Sequence, residues 1–135
     1  MTDQVSVTVR DQFLYEPVTD DQIMTLFFPK RTITARDLIC ERVRQEVQAY
    51  NDRLPDIFHG LVAPLEAERV ANGFRMPRRR TVDAEEQCQR ACESFKQNGF
   101  ILLVNDRQVE TLDAPIEIGA SSAAVFLKLT PLVGG

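Results

Sequence analysis

From Val5 the chain alternates, with Val5, Val7 and Val9 set against Ser6, Thr8 and Arg10. This period-two pattern predicts a half-buried strand. Phe13, Leu14 and Tyr15 extend the strand or open the loop after it. Glu16-Pro17 and Asp20-Asp21 carry turn chemistry, since proline fixes φ and aspartate competes for local backbone hydrogen bonds. An apolar run from Ile23 to Phe28 predicts a second strand. Pro29 closes it, having no donor for a ladder.

At Thr34 the period changes. Thr34-Ala35-Arg36-Asp37 fits a capping box, with the threonine accepting from first-turn amides and Asp37 reaching back. Ile39, Val43, Val47 and Tyr50 follow on one helical face, and Arg36, Glu41, Arg42, Arg44 and Glu46 cover the rest. Cys40 sits beside the apolar face and reads as a small packed thiol. Between 51 and about 80, Pro55, Pro64, Pro77, Gly60 and Gly73 predict several short pieces. Pro64 to Ala71 is expected as a short helix, with proline in its first turn and Asn72-Gly73 as its stop. Thr81 is expected to cap a second clear helix whose first turn holds Asp83, Glu85 and Glu86. Ala84, Cys88, Ala91, Cys92 and Phe95 form its apolar stripe, and Gly99 is expected to supply a left-handed cap after Asn98.

The segment after Gly99 is extended again. Phe100 to Val104 is a continuous apolar run and reads as a buried strand; Asn105-Asp106 turns it into a short partner at Gln108 to Glu110. Leu112, Ile116 and Ile118 anchor a winding loop around Pro115. Val125, Leu127 and Leu129 alternate with Phe126 and Lys128 in a final strand that Pro131 ends, before Leu132-Val133-Gly134-Gly135.

Composition narrows the chemistry. The 135 residues, 44% hydrophobic and 27% charged, have the proportions of one soluble globular domain. Sixteen basic against twenty acidic residues give a net charge of -4, with no basic excess to hold a nucleic acid. Arg78-Arg79-Arg80 is the one charge run, and with Asp83, Glu85 and Glu86 close behind it reads as a solvated loop or an aid to docking an acidic partner. No apolar run nears the ~20 residues of a membrane span, and the Met1-Thr2-Asp3-Gln4 start lacks a signal-peptide pattern, so a cytoplasmic location without membrane contact is expected. Three cysteines and one histidine make neither a disulfide framework nor a four-ligand zinc site. His59 stands without a visible titrating partner and reads as a surface histidine. No metal, no cofactor and no enzymatic activity are expected of the chain itself.

The order strand, strand, helix, inserted region, strand, short strand, loop, final strand and Gly-Gly resembles the β-grasp fold of ubiquitin-like proteins. Phe100 to Asp113 looks like the third and fourth strands and following loop of ubiquitin, and Ile116-Glu117-Ile118 matches the apolar pair before its last strand. Val125 to Leu129, with the tail to Gly134-Gly135, resembles the terminal strand and reactive tail. The fold implied is α+β: a β-grasp mixed sheet with one packed helix, and a largely helical insertion between the first helix and the third strand. The domain is expected over 1–130, with its helical or irregular insertion over 51–98, and a flexible tail over 131–135. With that insertion the chain is similar to bacterial ubiquitin-like proteins.

The resemblance implies chemistry done on the chain by others. An E1-like adenylating enzyme would use ATP and magnesium to activate the Gly135 carboxylate. A thiol, on that enzyme or on an E2-like conjugating enzyme, would then carry the acyl group to an amine of a target protein. A deconjugating protease would reverse the step. Gly134 supports Gly135 by letting the tail pass a narrow channel, and from Pro131 the extended tail reaches at most ~17 Å. Leu132 and Val133 are apolar residues with little reason to sit on a solvated tail. Leu103, Phe126 and Leu129 are expected as a partner-recognition patch, with core packing as the competing role of each. Lys30, Lys96 and Lys128 are the internal acceptors. Two other functions share the pattern: a β-grasp sulfur carrier ending in a thiocarboxylate, and a protein-binding β-grasp module that is never conjugated.

Overall fold

The computed structural model describes residues 4–13, 23–70, 73–76 and 80–128, which form an α+β fold with a mixed sheet and two helices. Five strands make the main sheet: β1 (Val5–Phe13), β2 (Ile23–Phe28), β7 (Phe100–Val104), β8 (Arg107–Val109) and β10 (Ala123–Lys128). Their order is β2-β1-β10-β7-β8. β1 and β10 run parallel at the centre, and the other neighbours are antiparallel. Alternation sets the inner face. Val5, Val7 and Val9, then Leu26 and Phe28, then Phe100, Leu102 and Val104, then Ala124 and Phe126 are all buried in one core cluster. The final strand therefore buries Ala124 and Phe126, whereas Val125 and Leu127 stay half-buried on the other face.

Helix α1 (Ala35–Arg53) covers the core with Leu38, Ile39, Val43, Val47 and Tyr50. Its capping box is formed: Asp37 N donates to Thr34 Oγ1 at 3.1 Å, and Thr34 N donates to Asp37 Oδ2 at 3.0 Å. Two short strands were not legible as such in the sequence. β3 (Thr32–Thr34) pairs antiparallel with β9 (Pro115–Glu117), so part of the loop around Pro115 is a strand ahead of which α1 begins. Asn105 and Asp106 both take positive φ, 50° and 68°, the geometry of a tight two-residue hairpin turn. β8 consequently starts at Arg107, one residue before the expected partner strand.

The 51–98 segment is not largely helical. β4 (Ile57–Phe58), β5 (Glu68–Val70) and β6 (Gly73–Arg75) form a three-stranded sheet, and α2 (Ala84–Lys96) follows. The helix expected from Pro64 is a single turn. Ala67 N donates to Pro64 O at 3.3 Å, Glu66 turns with φ 65°, and the chain then pairs with β6, where Arg69 lies over the Phe74 ring. Tertiary pairing outweighs a weak local helical preference here. Gly73 allows close approach, since a Cβ there would sit 2.8 Å from the carbonyl oxygen of Phe58.

Both ends of α2 differ from expectation by a residue or two. Asp83, not Thr81, is the N-cap, its carboxylate accepting from Glu85 N at 3.0 Å and Glu86 N at 3.4 Å. At the other end Asn98, with φ 60°, takes the left-handed conformation rather than Gly99. At Gly99 a Cβ would displace the Ser94 hydroxyl and come within 3.2 Å of the Ser94 carbonyl oxygen. Helices α1 and α2 run antiparallel. Arg44 faces Glu85 at 3.7 Å, and Asn51 exchanges two hydrogen bonds with the backbone of Val82. Gln87 and Arg90 donate to the carbonyls of Val62 and Ala63, which ties the loop of the insertion to its helix.

Candidate functional site

The chemistry expected of this chain lies beyond β10, so the site begins with what holds that strand's end. Along the inner face of β1, Val5, Val7 and Val9 are followed by Asp11; along β10, Ala124 and Phe126 are followed by Lys128. Apolar residues thus give way to charge at the same end of two parallel strands. α1 brings Arg42 and Glu46, one helical turn apart, over this point.

The four side chains form one buried network. Arg42 Nη1 and Nη2 both donate to the Asp11 carboxylate, and Nη2 reaches Oδ2 at 2.7 Å. Arg42 Nε donates to Glu46 Oε1 at 2.5 Å, and Lys128 Nζ lies 3.4 Å from Asp11 Oδ2. The Arg42 guanidinium also stacks 4.5 Å above the centre of the Phe126 ring. Side-chain exposure is only 5% for Arg42, 8% for Asp11 and 6% for Glu46. The second oxygen of Glu46 accepts from Leu61 N at 3.0 Å, which pins the start of the insertion to the same cluster. A guanidinium is suited to this position because its planar fork satisfies two carboxylates at once.

Titration follows from the packing. Burial pushes the Asp11 carboxyl up, but hydrogen bonds and charge from Arg42, with help from Lys128, outweigh it and hold the group below its usual 3.8. Burial also opposes charge on Arg42, and Glu46 with Asp11 more than reverses that, raising it further. Lys128 goes the other way: burial lowers its pKa from 10.5, and Asp11 restores only part of the loss. The network sets two cations, Arg42 and Lys128, against two carboxylates, Asp11 and Glu46, at the end of the sheet. Its capacity is positional. It fixes β1, β10, α1 and the first loop of the insertion at the point where the chain continues toward Gly135.

Of the residues expected to meet partners, Leu129, Leu132, Val133, Gly134 and Gly135 lie outside the described residues. Phe126 does not belong to a surface patch: it is fully buried, with Phe100 5.6 Å away by ring centroids and Arg42 over it. Leu103 is half-buried on the outer face, directly opposite Val125, and Ile101 pairs in the same way with Leu127. Those four side chains form an apolar ribbon on the sheet's outer face. The signal was present in the unbroken run Phe100 to Val104, since a strand that is apolar at every position has two apolar faces. Leu103 is half-buried rather than exposed, and Val125 and Leu127, not Phe126, are the β10 side chains on its face.

Other residues singled out earlier fall elsewhere. Among the lysines, Lys30 and Lys96 are exposed, whereas Lys128 is held in the buried network with 19% side-chain exposure. His59 is exposed. Arg78 and Arg79 lie outside the described residues, and Arg80 pairs with Glu66 at 2.9 Å on the surface. Cys40, Cys88 and Cys92 meet between the two helices, and no set of His, Cys, Asp and Glu among the described residues is arranged to hold a metal ion. No helix among them is long and apolar enough to cross a membrane. No protein-family model, curated protein or solved structure matches this chain.

Proposed function

We propose that this chain is a ubiquitin-like modifier of the β-grasp type, conjugated through Gly135. The observation that carries the reading is the sheet order β2-β1-β10-β7-β8, with β1 and β10 parallel at its centre and α1 packed across it. This arrangement is compatible with the mixed sheet and packed helix that the resemblance implies, and β10 is the last described strand before the tail. The network of Asp11, Arg42, Glu46 and Lys128 supports the same reading, because it anchors the strand at its last described residue.

In the reaction, the activating partner supplies every catalytic group and the ATP and magnesium. The Gly135 carboxylate attacks the α-phosphorus of ATP, pyrophosphate leaves, and a thiol of the partner displaces AMP to form a thioester. An amine of the target then displaces the thiol. Gly134 gives the tail the freedom to bend beside the nucleotide. Residues Ile101, Leu103, Val125 and Leu127 provide the outer-face recognition surface on which conjugating or deconjugating proteins rest. Incubating the protein with ATP, magnesium and the proteins encoded by its neighbouring genes tests the reading. Covalent adducts that vanish when Gly135 is deleted are expected. Adducts that persist after the deletion, or none with the complete set of neighbouring proteins, would contradict it.

A further inference from the structure

We propose that Cys40 and Cys92 form a reversible disulfide under hydroperoxide oxidation, which clamps the inserted helix α2 to α1. The fold brings Cys40 against Cys88 and Cys92, two thiols one helical turn apart on a segment about fifty residues further along the chain. Cys40 Sγ lies 3.9 Å from Cys92 Sγ, across the antiparallel interface of the two helices. Cys88, one turn before Cys92, donates its thiol to the carbonyl oxygen of Cys40 at 3.7 Å. Closing the Cys40–Cys92 pair to a bond of ~2.05 Å needs a rotation of the side chains and a small approach of the helices. Cys88 and Cys92 share one helix face and point the same way, so they are poorly set to bond each other.

Access chooses the first step. Cys40 is half-buried, while Cys88 and Cys92 are buried, so an oxidant reaches Cys40 first. A hydroperoxide transfers one oxygen to the Cys40 sulfur, giving a sulfenic acid and releasing water or an alcohol. The Cys92 sulfur then attacks that sulfenic sulfur; the S–O bond breaks, and the hydroxyl leaves as water with the Cys92 proton. Two electrons pass from the thiols to the peroxide. Burial raises all three thiols, Cys92 to about 11, which keeps them protonated and makes their reaction with peroxide slow. Once closed, the bond encloses β4, β5 and β6 in a covalent loop, and the insertion can no longer separate from α1.

Trypsin makes the test direct, because cleavage after Arg36, Arg42, Arg80, Arg90 and Lys96 leaves each cysteine on its own peptide. The full chain is reduced, treated with hydrogen peroxide, alkylated and digested. The expected product is a monomer lighter by two hydrogens, with the peptides of Cys40 and Cys92 joined, Cys88 alkylated, and the link removed by dithiothreitol. Cys88→Ser should form the same link, and the oxidised protein should melt at a higher temperature than the reduced one. A link that includes Cys88, a bond between chains, or sulfinic and sulfonic products without a Cys40–Cys92 link would overturn the proposal. Because the wild-type chain carries the readout, the result does not depend on any variant folding.

Discussion

Arg42 binds two carboxylates through its whole guanidinium and covers Phe126, so its removal leaves Asp11 and Glu46 buried with Lys128 as their remaining cation. Arg42→Met is expected to destabilise the fold by about 3–5 kcal/mol, the usual effect of orphaning a buried charge. Urea unfolding measures it, and a loss under about 1 kcal/mol would show the pairs to be solvent-screened instead. The network also sets an acid limit. The Asp11 carboxyl is lowered in the fold, so its contribution is complete above the unfolded value of 3.8 and is lost as pH falls through the lower folded pKa. Asp11→Asn should therefore be less stable at neutral pH yet lose less stability in acid than the wild type. At Gly73 the constraint is steric rather than ionic. A methyl group there meets the Phe58 carbonyl oxygen at 2.8 Å, so Gly73→Ala should lower unfolding stability by about 1–3 kcal/mol.

At the scale of elements, the insertion is held by side chains that bond to backbone. Asn51 Nδ2 donates to Val82 O at 3.0 Å and Val82 N donates to Asn51 Oδ1 at 2.8 Å, which closes the neck between α1 and α2. Asn51→Leu leaves a buried amide and carbonyl without these partners and should cost about 1–3 kcal/mol. Hydrogen exchange should then show faster opening at Val82 and in α2, while β1 and β10 keep their protection. The elements legible beforehand are those with a strong local period or cap: β1 and β2 by alternation, α1 by Thr34 and Asp37, β7 and its turn by Asn105-Asp106. Those that were not legible depend on distant partners. β3 and β9 exist because Ile33 and Ile116 pair across the fold, and β5 is a strand because Gly73–Arg75 lies beside it. The thiol cluster and the Arg42 network were hidden for the same reason, since Cys40 meets Cys92, and Asp11 meets Arg42, only after packing. The outer ribbon was half legible: its β7 residues lie in a run that reads on both faces, but sequence alone does not fix the parity of Phe126 in β10 and so leaves both patch and core open to it.

For the molecule as a whole, one end of the main sheet is locked by charge and continues into the tail, while the insertion packs against α1. Under the proposed conjugation through Gly135, the chain should offer few sites for polymers of itself. Lys128 is engaged with Asp11, so self-conjugation should require Lys30 or Lys96. Replacing both with arginine should abolish self-adducts in the reconstituted reaction, and Lys128→Arg should leave them unchanged. Under the proposed function Gly135 becomes bonded to other proteins, and trypsin again offers a direct measurement. Cleavage after Lys128 leaves Leu129 to Gly135 as a branch on any modified lysine. Mass spectrometry of digests from the cells that make this protein should find that branch on lysines of other proteins, and lose it when Gly135 is deleted from the gene. Recovery of the Leu129–Gly135 peptide only with a free carboxylate or a thiocarboxylate, never as a branch, would contradict the account.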